Sequence, residues 1–216
     1  MISEHQFPVT KSARYFVLEP SNEPVAVLYA LHGYRQLAPF FIKQFQVLAD
    51  HGVRVIAPEG LHRFYINGYS GRVGASWMTK EDRATDIKDY LNYLNSLHDA
   101  LSKEWSDLPV HLLGFSQGGA TACRWLASND IPFKSLILYA SVFPNDFDFD
   151  VNQSRLATIN QVIAFGDDDQ FATEEVIEEK MSWLKSKNVL PKLIRFVGGH
   201  EIKDAVLLDL YGVASR

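Results

Sequence analysis

Six short runs rich in aliphatic residues recur along the chain: Val25 to Leu31, Val53 to Ala57, Val110 to Leu113, Leu136 to Ala140, Val162 to Phe165 and Leu193 to Val197. Helical or loop segments separate them, and that alternation predicts a mainly parallel sheet with crossover helices, an α/β fold. The clearest helix follows Thr79-Lys80-Glu81-Asp82, a start like a capping box. It carries Ala84, Ile87, Leu91, Leu94, Leu97, Leu101 and Trp105 at i+3/i+4 spacing, so one face must be buried. Another helix is expected from near Thr173, with Glu174 and Glu175 in its first turn and Lys185 and Lys187 near its end, as the helix dipole favours. Gln6 to Glu19 is expected to form an antiparallel pair at the sheet edge. Glu59 to Ser76 and Ser141 to Ser154 are expected as long loops leaving the carboxyl ends of strands, the edge where open α/β sheets bind ligands.

The strand ending near Leu113 runs into Gly114-Phe115-Ser116-Gln117-Gly118 and then a small-residue helix, Gly119-Ala120-Thr121-Ala122-Cys123. This is the pattern of a nucleophile elbow. A serine at a sharp strand-to-helix turn needs nearly side-chain-free neighbours two positions away, because the backbone doubles back and a Cβ would collide. The helix N-terminus beneath it, beginning with the Gln117 amide, points N–H groups at developing negative charge, which favours acyl transfer.

A hydroxyl is a weak nucleophile at neutral pH and needs a base, and in this architecture the order is Ser, acid, His, each after a strand. Gly166-Asp167-Asp168-Asp169 follows the strand ending at Phe165, and Gly198-Gly199-His200 follows the one ending at Val197. Of seven histidines only His200 lies downstream of both Ser116 and the aspartates. One carboxylate suffices to orient the imidazole, and physics alone leaves Asp167, Asp168 and Asp169 open. A second oxyanion donor is expected from Leu31-His32-Gly33-Tyr34, through the Tyr34 amide, with His32 structural because it precedes the serine.

Other chemistries are disfavoured. A formal charge of −5 argues against nucleic acid, and the longest apolar stretch is far short of the ~20 residues that span a bilayer. The single Cys123 excludes an internal disulfide and a CxxC metal site. The N-terminus lacks the basic-then-apolar layout of a signal peptide, so a cytoplasmic location is the default expectation. No linker or repeat divides the 216 residues, which are expected to form one domain, residues 1–216. Asp146-Phe147-Asp148-Phe149-Asp150 fails as an EF-hand, which would need Gly at Val151 and Glu at Ala157; solvated aspartates alternating with packed phenylalanines are expected instead. Gly68 to Gly74 lacks the spacing of a phosphate-binding loop.

Taken together, Leu31-His32-Gly33, Gly114-Phe115-Ser116-Gln117-Gly118-Gly119, Gly166-x-x-Asp169 and Gly199-His200-Glu201 resemble the phospholipase/carboxylesterase family of α/β-hydrolases, which includes acyl-protein thioesterases. The resemblance implies an α/β-hydrolase fold with helices on both faces of the sheet and no large cap domain. It selects Asp169 as the acid, makes Tyr34 and Gln117 the oxyanion-hole residues, and places Trp77 near the active site. Phe64, Tyr65, Tyr69 and Trp77 are candidate pocket residues, with core packing an equal account of each. Where the family continues His-Gly with a small residue, Gly and Asp, this chain has Tyr34-Arg35-Gln36, and Gln170 replaces the usual Pro after the acid. A bulky Tyr and a cationic Arg beside the oxyanion hole fit a small or polar acyl ester.

The expected function is a serine hydrolase cleaving short- to medium-chain carboxylic esters or thioesters through an acyl-enzyme, without metal or organic cofactor. Lysophospholipase or protein de-acylation ranks below it, since no long lid or membrane-docking helix is evident. A non-catalytic ligand receptor on the same fold is the alternative of another class. The expected partner is a small acyl ester or thioester, with no membrane insertion; a homo-oligomer is left open.

Overall fold

The computed structural model describes residues 1–105 and 107–211. Seven strands form one sheet: β1 (Tyr15–Leu18), β2 (Ala26–Leu31), β3 (Val53–Pro58), β6 (Val110–Phe115), β7 (Phe133–Tyr139), β8 (Asn160–Gly166) and β9 (Lys192–Phe196). Their order is β1-β3-β2-β6-β7-β8-β9; β1 is antiparallel to β3 and every other pair is parallel. Between Glu59 and Ser76 a hairpin, β4 (His62–Tyr65) and β5 (Val73–Ser76), stands as a separate two-stranded sheet.

Parallel strands need crossovers, and these put an apolar layer on each face. On one face Val27, Tyr29, Leu31, Leu112, Leu136, Leu138, Ile163 and Phe165 are buried against α3 (Arg83–Leu101), α4 (Gln117–Ala127), α5 (Phe149–Leu156) and α6 (Glu174–Ser186). On the other, Leu28, Ala30, Leu113, Phe115, Ile137, Tyr139 and Ala164 meet α1 (Ala38–Phe41), α2 (Gln46–Ala49) and α7 (Asp204–Leu210). The strict alternation of partners along β2 is the period of two inherent in a strand. Each fully buried side chain of this size contributes on the order of 1.5–3 kcal/mol.

The structure corrects several expectations. Gln6 to Glu19 supplies one strand, not a pair: only Tyr15–Leu18 finds a partner, the single open edge of β3, and residues 1–14 are exposed. The capping box does not form. Asp82, with φ 44°, precedes α3 without a side-chain cap, and the Thr79 hydroxyl donates to the Glu81 carbonyl. The stripe of α3 is centred on Tyr90, Leu94 and Leu97, with Ala84 exposed. Glu59 to Ser76 is a hairpin, its turn eased by positive φ at Gly68 and Gly71.

The stretch from Ser141 to Ser154 enters α5, whose first turn is capped by Asp148 accepting from the Val151 amide at 3.0 Å. Phe143, Phe147 and Phe149 are buried against one another, as packed phenylalanines should be. Asp146 is not simply solvated. It pairs with Arg83 and Arg124, and the Arg124 hydrogen bond foremost lowers its pKa to about 2. Among the described residues no helix is long and apolar enough to cross a membrane.

The chain leaves β2 for β3 on one side and returns to β6 on the other, so the order of strands reverses between β2 and β6. Crevices at such switch points, outside the carboxyl ends of the strands, are where open α/β sheets hold ligands. Leu31 and Gly114 are paired at those ends, which brings the Gly33 loop beside Ser116.

Candidate active site

Ser116 joins β6 to α4 with φ 52° and ψ −118°, a backbone that side chains seldom adopt. Its amide donates to the Tyr139 carbonyl on β7 at 2.9 Å, and its carbonyl accepts from Gly119 at 2.9 Å, so both sides of the turn are tied. The glycines are required by close approach. A Cβ on Gly114 would stand 2.5 Å from Gly119 Cα, and one on Gly118 would meet the Leu31 carbonyl oxygen. The α4 N-terminus is thereby pressed against the end of β2.

The Gly33 loop reaches the same point: a Cβ on Gly33 would lie 3.2 Å from Ser116 Cβ. The Gly33 amide donates to Gln36 Oε1 at 2.8 Å, Arg35 N–H to the Ala75 carbonyl at 2.9 Å, and Gln36 N–H to the Gly33 carbonyl at 3.2 Å. Among the described residues the Tyr34 amide has no acceptor, so it and the Gln117 amide at the start of α4 are the donors left for an incoming anion. The Gln117 side chain is occupied. Its Oε1 accepts from the Trp77 amide at 3.1 Å, and its Nε2 donates to the Met78 carbonyl at 2.9 Å.

His32 holds this loop from below. Its Nδ1–H donates to the Gly33 carbonyl at 2.8 Å and its Nε2 accepts from Gly60 N–H at 2.9 Å, an arrangement only the neutral ring can make. Burial lowers its pKa to about 4, and burial likewise lowers that of His111, on β6, to about 4. Between pH 6.5 and 4 the unfolded chain binds protons these two rings refuse, so stability is full above about pH 6.5 and falls as pH drops towards 4. His32 alone accounts for on the order of 3 kcal/mol. The midpoint of urea unfolding is expected to drop between pH 7 and pH 4.5; a level midpoint across that range would contradict this account.

Asp169 and His200 come from the loops after β8 and β9. His200 Nδ1 lies 2.8 Å from Asp169 Oδ2, and the carboxylate is fully buried, its Oδ1 accepting from the Phe171 amide at 2.9 Å. A carboxylate only accepts, so Nδ1 carries the proton and Nε2 is left with its lone pair. The two loops are bound through their backbones, Asp167 N–H to the Phe196 carbonyl and Asp168 N–H to that of Gly198, each 2.9 Å. The ring lies between Phe115, the residue before Ser116, at 4.9 Å between centroids, and Phe171 at 5.0 Å. Asp167 turns away to Arg195 at 3.0 Å, and Asp168 is exposed.

The remaining candidates are placed differently. Phe64 stacks on Tyr34 at 5.3 Å, beside the oxyanion loop. Trp77 is fully buried, stacked on His32 at 5.1 Å with its Nε1–H donating to the His32 carbonyl at 2.8 Å, so it supports the loop from within. Tyr69 stands between β4 and β5 in the hairpin connection, 97% exposed, and Tyr65 is half exposed on β4. Gln36, whose side chain fixes the Gly33 amide, and Phe171, packed on His200, were not legible in the sequence, because each acts on a partner that only the folded loops bring near.

The family model described as serine hydrolase (FSH1) matches residues 22–203. A comparison with curated proteins finds no match. Among solved structures, acyl-protein thioesterase 2 of Zea mays is 20% identical, covering 94% of this chain and 99% of its own, with a TM-score of 0.66. A carboxylesterase of Mesorhizobium loti is 16% identical over 94% of this chain and 95% of its own, at 0.70. The Bacillus cereus carboxylesterase is 16% identical over 94% of each, at 0.65. At these identities the likeness is one of fold, and the fold is the expected α/β-hydrolase. The family model speaks of serine hydrolases, while the thioesterase and carboxylesterases of the resemblance appear as structural neighbours.

Proposed function

The chain belongs to the serine hydrolase (FSH1) family, and from that premise we propose that it cleaves short- to medium-chain carboxylic esters or thioesters through an acyl-enzyme, with Ser116, His200 and Asp169 as its triad. The observation that carries the reading is the strained φ of 52° at Ser116, held between two strand ends where an ordinary turn serine would need no such conformation. Ser116 Oγ attacks the acyl carbon as His200 Nε2 takes its proton. The Tyr34 and Gln117 amides stabilise the tetrahedral oxyanion, and His200 returns the proton to the departing alkoxide or thiolate. Water, deprotonated by the same nitrogen, then attacks the acyl-enzyme and restores the serine. Asp169 accepts from His200 Nδ1–H and so fixes the tautomer and the orientation of the ring.

The Tyr34–Phe64 stack with Arg35 beside it gives the loop an aromatic and charged border, which suits small or polar acyl groups better than a long alkyl chain. Across nitrophenyl esters from acetate to palmitate, kcat/KM is expected to peak at a short or medium chain and to fall by about tenfold or more at palmitate. A maximum at palmitate would move the reading to lysophospholipase or protein de-acylation. Absence of turnover throughout, by folded protein, would move it to a ligand receptor.

A further inference from the structure

Nine arginines lie among the described residues, and six of them, Arg14, Arg54, Arg63, Arg83, Arg124 and Arg195, hold carboxylates. Arg155 is spent on Asn129 and the Ile131 carbonyl. Arg35 and Arg72 are left without an acidic partner among the described residues, in a chain whose carboxylates outnumber its Lys and Arg, 26 against 21. Both border the same cavity of about 600 Å³, which also takes in Gln36, Leu37, Phe40 and Phe41. A smaller cavity of about 300 Å³ adjoins it through Arg35, Gln36 and Arg72 and extends to Tyr34.

The cavity is joined to the oxyanion loop. Arg35 is the residue after Tyr34, and two virtual bonds of ~3.8 Å put its Cα within about 8 Å of Gly33, which touches Ser116. Its backbone is fixed: φ is 69°, its amide is bound to Ala75, and the Gln36 carbonyl accepts from the Ala75 amide at 3.2 Å. Arg72, which lines the same cavity, is tied at its carbonyl to the Ile66 amide at 2.8 Å. Two arginines lining one mostly aliphatic and aromatic space match an apolar chain that ends in an anion, since a guanidinium binds a carboxylate through paired charge-assisted hydrogen bonds.

Resting on the esterase reading above, we propose that the preferred substrates are hemiesters of dicarboxylic acids, whose acyl chain lies along Leu37 and Phe40 and whose free carboxylate is held by Arg35 and Arg72. No new bond is made by this contact. It orients the acyl carbon towards Ser116, and binding energy remote from the reacting atoms is available to the transition state.

The test follows hydrolysis by NMR for two length-matched pairs, monomethyl glutarate against methyl pentanoate and monomethyl adipate against methyl hexanoate. The wild type is expected to favour the anionic member by about tenfold or more in kcat/KM, with the preference shrinking as salt rises. Arg35→Gln and Arg72→Gln are each expected to lower that anionic-to-neutral ratio by about tenfold. Arg72 lies in the exposed hairpin connection, so its variant keeps the test open should Arg35→Gln fold poorly. Neutral esters turned over as well as anionic ones, or ratios unmoved in both variants, would overturn the inference and leave the esterase reading standing. Turnover of no ester by folded wild type would overturn both.

Discussion

Ser116→Ala is expected to lower kcat on a short nitrophenyl ester by about 10⁵- to 10⁶-fold while leaving the fold intact. The substitution removes only Oγ. It keeps the Cβ, and hence the strain of φ 52°, so the urea midpoint should move by less than about 1 kcal/mol equivalent. Residual activity would come from the oxyanion donors and from binding. Ser116→Gly makes the same chemical deletion and also releases the backbone, so it should be as inactive and more stable than the alanine variant by about 1 kcal/mol. Equal kinetic loss with a stability gain confined to glycine would separate the nucleophile from the strain that presents it. A Ser116→Ala protein retaining a tenth of wild-type turnover would place the nucleophile elsewhere.

Asp169→Asn should cost about 10⁴-fold in kcat, whereas Asp167→Asn and Asp168→Asn should stay within about threefold of wild type. The reason lies in the Phe171 amide, which donates to Asp169 Oδ1 and would keep the oxygen of an asparagine at that position. The amide nitrogen is then forced to face His200 Nδ1, where it can only donate. Nδ1 must accept, the proton moves to Nε2, and the atom that should take the Ser116 proton already carries one. Asp167 is spent on Arg195 and Asp168 faces solvent, so neither can take over. Kinetics of the three variants at one pH, with circular dichroism to confirm folding, decides the matter. A large loss at Asp168 and none at Asp169 would refute the assignment.

Much of the architecture was legible because the sheet is parallel and buried on both faces: β2 is six residues without an exposed side chain, and such runs announce themselves. The strand-end motifs carrying Ser116 and His200 were legible for the same reason, each being local to one strand and the turn after it. The choice among Asp167, Asp168 and Asp169 was not, since it depends on which carboxylate turns under His200 and which meets Arg195, contacts made 28 to 31 residues away in sequence. The hairpin at Glu59 to Ser76 was missed because its strands are only four residues each and are separated by a connection carrying Gly68 and Gly71, so the stretch reads as loop. Trp77 shows another limit. Its place next to the site was implied by family pattern, but its fully buried ring serves the loop through the His32 carbonyl, a tertiary fact that no spacing conveys. The Arg35 and Arg72 pair depends on the other described arginines having found their partners, which only the folded chain displays.

The central claim, that Ser116 is a nucleophile activated by His200, is tested most directly by treating the protein with a fluorophosphonate and mapping the adduct by mass spectrometry. The account predicts one adduct per chain, on the tryptic peptide ending at Arg124 and assigned by fragmentation to Ser116. It should be absent from Ser116→Ala and formed at least about a hundredfold more slowly in His200→Ala. An adduct on another residue, or an unlabelled Ser116 in protein that still turns over esters, would contradict it.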